Sequence, residues 1–498
     1  MPALRPRPTP PLSRLATRVG LLMCLPALLV AGSARAGASP EAIRQLLDSY
    51  ARNRQFNGVV LVARDGDVLQ RVAYGQADHD WDTPNTTDTR FRVGSLTKPF
   101  TATLVMQLVQ EGRLRLEGRL GDYLPDLYGD TPAADITLAQ LLSHTSGLRD
   151  TPGNYDDPWW RTEARRAYAP DAFARAWIPA TLEGPPGRAF RYINNGYFLL
   201  GLIIERVTGQ RYEVNLAERI LTPAGMGSSG LYQADARVPR LARGYETRAD
   251  GQRIPARYID PSVSYAAAGL YATVDDLYRF DRALRSDRLL GAPARKAMWT
   301  ARQQGYGYGW NIESWPLAEG GRAEVMLHTG SVPGYQSVLL RSEHGQAFVV
   351  ILDNDWRGEL VMTMGKDLME VLLGKPVTLA KKSLADRLVP IALAQGNPAM
   401  VAAYANLGDE RRDYDTGERA LNALGYRLLR LQRSAEAISV FEWNVKAHPE
   451  SSNVHDSLGE AYRAAGRTAD AVASYRRSLA RDPGNANAAK ALRELGAP

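Results

Sequence analysis

The chain has 498 residues, of which 45% are hydrophobic and 23% charged. This is a globular composition, and the length exceeds what one ordinary core organises, so two or more domains are expected. The formal net charge of +7 invites a nucleic-acid partner. However, Arg5, Arg7, Arg14, Arg18 and Arg35 all precede residue 37 and no acidic residue does. Without that segment acids and bases nearly balance, which argues against a polyanionic ligand.

Residues 1–36 read as an export signal. A basic, proline-containing start leads into the apolar run Val19–Val30, and Ala34-Arg35-Ala36 supplies a small-x-small cleavage pattern. The run is short and contains Pro26, so a permanent membrane helix is disfavoured and membrane attachment follows only if the signal stays uncleaved. Cys24, the only cysteine, leaves with it. A chain cut near Ala36 has no disulfide and no thiolate chemistry, and its expected place is a bacterial periplasm or the exterior.

Glu41–Asn53 is expected to be an amphipathic helix. Gly58–Ala63 and Val68–Tyr74 are expected to be strands of a hairpin turned at Arg64-Asp65-Gly66-Asp67. Next comes Gly94-Ser95-Leu96-Thr97-Lys98-Pro99, ahead of a helical stretch that stops at Gly112. Residues three apart share a helix face, so Ser95 and Lys98 touch if the turn starts at Ser95. Pro99 fits only in a first turn. A serine hydroxyl needs a base to become a nucleophile, and a desolvated lysine is one candidate.

Thr137–Leu142 is expected to be a short helix running into Ser143-His144-Thr145-Ser146-Gly147-Leu148, with His144 as a packing residue. Thr151–Pro179 reads as a loop with short helices. Tyr192-Ile193-Asn194 precedes an apolar helix, Phe198–Val207, closed by Gly209. Thr273 and Asp276 cap the helix that follows them. Tyr306–Trp310 is expected to be a tightly packed strand. Glu324–Leu327 runs into His328-Thr329-Gly330-Ser331, and Tyr335–Arg341 with Ala347–Leu352 forms a second hairpin. Gly330 admits a close backbone approach. The N–H groups of Ser95 and Ser331 are candidates for an oxyanion hole. The six histidines are scattered without ligand spacing, so no metal and no cofactor is expected.

From Leu384 onward the pattern is helical. Leu424, Gly425, Ala437, Phe441 and Pro449 recur 34 residues later as Leu458, Gly459, Ala471, Tyr475 and Pro483. That is the tetratricopeptide period. The expected organisation is a signal over 1–36, a catalytic domain over 37–376, a helical linker over 377–415 and repeats over 416–496. Helices at Leu384–Gln395 and Pro398–Leu407 would join the repeats to the catalytic domain.

Ser95-x-x-Lys98, Tyr192-x-Asn194 and His328-Thr329-Gly330, in that order, resemble the serine β-lactamase and penicillin-binding-protein superfamily. The likeness is to its class C branch, which includes D-alanyl-D-alanine carboxypeptidases, D-aminopeptidases and esterases. The resemblance implies an α+β fold, an antiparallel sheet flanked by helices with an all-α domain beside it. It implies acylation of Ser95, proton traffic through Lys98 and Tyr192, and a substrate amide held by Asn194. His328 and Gly330 would line the far wall, and Ser331 N–H would complete the oxyanion hole. Class C β-lactamases usually carry lysine where this chain has His328, so the antibiotic-resistance function is weakened. The expectation is an exported serine hydrolase acting on a D-amino-acid peptide, a β-lactam or a small ester. Its rivals are a binding protein that works through its helical repeats, which offer a surface for a protein partner, and a true class C β-lactamase.

Overall fold

The structure, a computed structural model, describes residues 39–152, 157–357 and 360–497. The expected signal lies outside the described residues. No described helix is long and apolar enough to cross a membrane.

Six strands form one antiparallel sheet: β1 (Gly58–Arg64), β2 (Asp67–Tyr74), β3 (Asn311–Pro316), β4 (Arg322–Val332), β5 (Tyr335–Ser342) and β6 (Phe348–Asp353), in the order β3-β4-β5-β6-β1-β2. The early and late hairpins therefore meet, with Gly58 opposite Asp353 and Val62 opposite Val349. Strand β1 is apolar at successive positions because both its faces are covered. Val59, Leu61 and Ala63 enter one core, and Val60 and Val62 the other. Helices Pro40–Arg52 and Leu360–Leu372 cover the second face through Ile43, Leu46, Met364 and Leu368. The first face carries helix Val274–Arg285, and the helices Thr97–Gln110 and Asn194–Thr208 lie beyond it in the same core, with Phe100 stacked on Phe280 at 3.8 Å. Fully burying one such aliphatic side chain is worth about 1.5–3 kcal/mol, and these two cores contain most of the buried apolar residues before Leu373.

Two elements differ from expectation. The helix expected at Phe198 begins at Asn194, because the Asp150 carboxylate accepts the N–H groups of Asn194 and Asn195 at 2.9 and 3.1 Å. A side chain far away in sequence thus supplies the cap. Tyr306–Trp310 is a bend rather than a strand: Gly307 N–H donates to Trp310 O at 2.8 Å, and the strand starts only at Asn311. Gly309 has φ +78°, and a Cβ there would lie 3.0 Å from Lys98 O. Gly309 lets the bend fold against the Lys98 turn, and Gly307 lets it pass the Met298 carbonyl, where a Cβ would fall 2.5 Å from the oxygen.

Beyond Leu384 the chain is helical. Leu384–Ala405 is broken at Gly396 (φ 78°, ψ −175°), which separates the two helices expected there. The repeat helices are Glu418–Arg430, Ser434–Ala447, Ser452–Ala464 and Thr468–Arg481, followed by Ala486–Glu494. In both copies the glycine of the first helix makes room for the aromatic of the second. A Cβ on Gly425 would overlap the Phe441 ring, and one on Gly459 would lie 2.7 Å from Tyr475. Asn53 and Gln55 donate to Ala380 O and Lys381 O at 2.8 and 2.9 Å, and Arg427 donates to Ala249 O at 2.6 Å. These bonds tie the helical region to the sheet domain.

Candidate active site

Ser95 sits in a tight turn, Gly94–Leu96, that runs straight into helix Thr97–Gln110. Gly94 has φ +55°, a backbone conformation that costs glycine little. Thr97 locks the turn: its hydroxyl donates to Gly94 O at 2.7 Å and accepts Leu270 N–H at 3.0 Å. Ser95 is therefore presented just ahead of the positive end of a 14-residue helix.

Lys98 is completely buried. Its Nζ lies 2.9 Å from Ser95 Oγ, 2.8 Å from Asn194 Oδ1 and 3.1 Å from Ala267 O. None of these partners is a carboxylate. Desolvation brings the ammonium down to about 7, and the Asp150 charge pulls weakly in the opposite direction. A substantial fraction of neutral amine beside a serine hydroxyl is what a nucleophile–base pair requires.

Tyr192 is 39% exposed, and its ring stands 4.7 Å from Lys98 Nζ. His144 supports it from behind. The His144 ring packs 4.3 Å from the Tyr192 ring, its Nδ1 accepts Ile193 N–H at 3.2 Å, and its carbonyl accepts Arg191 N–H at 2.8 Å. Burial and the nearby Lys98 charge hold His144 well below its ordinary value. It packs, as the sequence suggests.

The amide of Asn194 is committed within the protein. Its Oδ1 accepts from Lys98, and its Nδ2 donates to Asp150 Oδ2 at 3.3 Å. In this arrangement Asn194 orients Lys98, and Asp150 orients Asn194.

The far wall is strand β4. Strand β3 pairs with it only as far as Leu327, so beyond that point the β4 edge turns to the Ser95 turn instead. Gly330 is required there: a Cβ would overlap Val93 O and the Ser337 hydroxyl. The backbone that approaches Gly330 is the chain's own. A Cβ on Gly94 would fall 2.6 Å from Ser331 N, so that N–H lies beside the Ser95 turn. Ser331 itself is exposed.

His328 is buried, and both its ring nitrogens are engaged. Nδ1 lies 2.6 Å from Thr329 O, and Nε2 lies 2.9 Å from Tyr306 Oη. A carbonyl only accepts, so Nδ1 carries the hydrogen, Nε2 accepts, and Tyr306 donates. Desolvation, helped by Lys98, lowers His328 to about 3.

The structure thus brings Ser95, Lys98, Tyr192, Asn194, His328, Gly330 and Ser331 together in one place. Asp150, Ala267 and Tyr306 belong beside them and escaped sequence reasoning. Asp150 follows a recognisable Ser-His-Thr-Ser-Gly segment, but nothing local says that it caps a helix more than forty residues later. Among the described residues no cluster of three or more histidine, aspartate or glutamate side chains is placed to hold a metal ion.

A two-faced antiparallel sheet with a serine beside a buried lysine at a helix start defines the class of β-lactamase-fold serine hydrolases. The β-lactamase family profile matches residues 43–369 and a tetratricopeptide-repeat profile matches 422–486; the chain belongs to the β-lactamase family and ends in tetratricopeptide repeats. It is 26% identical to penicillin-binding protein 4* of Bacillus subtilis, over 68% of this chain and 77% of that protein. It is 29% identical to esterase EstB of Burkholderia gladioli, over 58% of this chain and 82% of that protein. Among solved structures it is similar to the D-amino acid amidase of Ochrobactrum anthropi, with a TM-score of 0.54 and 27% identity, covering 67% of this chain and 96% of that one. Relatives of this fold therefore include penicillin-binding proteins, an esterase and an amidase.

Proposed function

We propose that the protein is an exported serine hydrolase that cleaves an amide or ester through a Ser95 acyl-enzyme. The observation that carries this is the 2.9 Å approach of Lys98 Nζ to Ser95 Oγ at a site dry enough to bring the amine to about 7. Neutral Lys98 takes the Ser95 proton as Oγ bonds to the substrate carbonyl carbon. The carbonyl π pair moves to oxygen and is received by the N–H groups of Ser95 and Ser331. The tetrahedral centre collapses, and the leaving group departs with a proton delivered from Lys98 by way of Tyr192. Water then attacks the acyl-enzyme and gives its proton to Lys98 by way of Tyr192; as the acyl bond to Oγ breaks, Lys98 returns that proton to Oγ, releasing the acid and free Ser95.

The matched family includes an enzyme named as an esterase and one named as a D-amino acid amidase, which supports D-amino-acid amides, D-peptides and small esters as the first substrates to screen. A fluorescent fluorophosphonate is expected to label the wild type and not Ser95→Ala; well-folded wild type that takes no label would leave the repeat-borne binding protein as the better account. His328, in place of a fixed cation, goes with slow turnover of β-lactams, and fast nitrocefin hydrolysis would restore the β-lactamase alternative. The tetratricopeptide repeats supply a surface for a protein partner. Export predicts a mature N-terminus at Gly37, readable by N-terminal sequencing of protein recovered from the periplasm.

A further inference from the structure

In the proposed mechanism Tyr192 hands the proton to the leaving group, and a proton donor must come within hydrogen-bond reach of the departing atom. Tyr192 is 39% exposed, in a stretch, residues 190–193, that belongs to no helix or strand. Regular structure therefore does not fix its position.

His144 holds this stretch on both sides of the tyrosine. Its carbonyl accepts Arg191 N–H at 2.8 Å, and its ring Nδ1 accepts Ile193 N–H at 3.2 Å. The two amides that flank Tyr192 are thus tied to one residue, and the two rings pack 4.3 Å apart. The turn that carries His144 is itself anchored. Thr145 N–H donates to Gln140 O at 2.9 Å, Gly187 N–H donates to Thr145 O at 2.7 Å, and the Tyr197 hydroxyl donates to Leu142 O at 2.7 Å.

Two features of His144 work against stability. Its backbone is left-handed, with φ +56°, which is uncommon and strained for a residue with a Cβ. Its Nε2 is buried without a hydrogen-bond partner among the described residues. Because Nδ1 accepts and burial beside Lys98 keeps the ring neutral, Nε2 carries the hydrogen. A buried donor left unpaired is costly. Phenylalanine would fill the same space against Tyr192, Tyr197 and Tyr306 without that cost, but it has no acceptor for Ile193 N–H. What the histidine adds over an apolar ring is the acceptor at Nδ1.

We propose that His144 is a positioning residue for the leaving-group step, holding Tyr192 in place through the Nδ1 bond to Ile193 N–H. The inference rests on the acyl-enzyme reading and deepens it. As the bond from the carbonyl carbon to the leaving oxygen breaks, that oxygen takes the Tyr192 proton, and the Lys98 ammonium replaces it. An alkoxide cannot leave without that proton, whereas 4-nitrophenolate can. A misplaced Tyr192 therefore costs alkyl esters more than 4-nitrophenyl esters.

The test compares the ethyl and 4-nitrophenyl esters of acetyl-D-alanine, which share one acyl group. The quantity read is the ratio of kcat/KM for the 4-nitrophenyl ester to that for the ethyl ester, which reports acylation alone. Tyr192→Phe is expected to raise this ratio about a hundredfold, and His144→Ala about tenfold. His144→Asn puts an amide oxygen where Nδ1 stood and tolerates a left-handed backbone, so its ratio is expected to return toward that of the wild type. In a Tyr192→Phe background, His144→Ala is expected to raise the ratio no further. Fluorophosphonate labelling of Ser95 in each variant reports that the site is folded. A labelled His144→Ala that slows both esters equally, or one that raises the ratio further without the Tyr192 hydroxyl, overturns the positioning role. A His144→Asn ratio as high as that of His144→Ala overturns the hold through Nδ1. A labelled wild type that cleaves the ethyl ester no faster than Ser95→Ala overturns the proposal and leaves the reactive Ser95 standing. Absence of any label on wild type overturns both.

Discussion

Lys98 and Arg341 are both fully buried cations in the same domain, yet their surroundings are opposite. Lys98 meets a hydroxyl, an amide oxygen and a backbone carbonyl. Arg341 meets carboxylates: its Nε is 2.5 Å from Asp281 Oδ1 and its NH2 group 2.7 Å from Glu343 Oε1. Arg285 closes the cluster from the other side of Asp281 at 2.7 Å. Burial alone does not decide what a cation does. Neutral partners leave a lysine free to lose its proton and act as a base. Carboxylate partners hold a guanidinium, which cannot lose its proton, as a permanent strut.

The contrast is broken most severely by removing the chemistry. Ser95→Ala is expected to lower kcat/KM by at least about 10³-fold with little change in melting temperature, measured by ester hydrolysis and calorimetry. Lys98→Met is expected to lose activity comparably and to gain stability, on the order of a few kcal/mol at neutral pH. The sign follows from linkage. The folded-state value is about 7 against an ordinary 10.5, so between these the unfolded chain binds more protons. Wild-type stability therefore rises with pH across that window, and Lys98→Met should remove that rise. Urea titrations at several pH values check this, and a destabilised Lys98→Met would show that burying this cation is not costly.

Arg341→Met should do the reverse. It leaves Asp281 buried beside a single remaining arginine and is expected to cost about 3–5 kcal/mol, while the fraction that stays folded still labels at Ser95. A variant that loses labelling but not stability would show that the cluster belongs to the site. The gentlest change is Asp150→Asn. The Asp150 charge favours the protonated form of Lys98, and neutral Lys98 is the active form, so activity climbs as pH rises through about 7. Removing the charge should shift this rising limb to lower pH, read from a pH–rate profile. A shift to higher pH would mean that Asp150 acts on Lys98 chiefly by holding Asn194 rather than by its charge.

The sequence carried a large part of the architecture because the relevant signals are local. Period-two and unbroken apolar runs marked β1, β2, β5 and β6, and the 34-residue recurrence marked the repeats. Ser95 and Lys98 were legible as a pair because three residues along a helix is a short-range geometry. Tyr192, Asn194 and the His328–Ser331 segment were found through their order along the chain and the family it resembles, since no local pattern joins them.

What tertiary structure alone decided is the state of each group. Whether Lys98 is a base depends on the exclusion of solvent by segments far away in sequence. Whether His328 is a neutral ring depends on its burial beside Lys98, and which nitrogen carries the hydrogen depends on Thr329 O and on Tyr306, delivered by a bend that reads in sequence as a strand. Gly330 looks like room for a ligand until the Val93 carbonyl is seen above it. Residue identity and spacing are written in the chain, but desolvation and hydrogen-bond partners are properties of what packs around a side chain, and these exist only once distant segments have met.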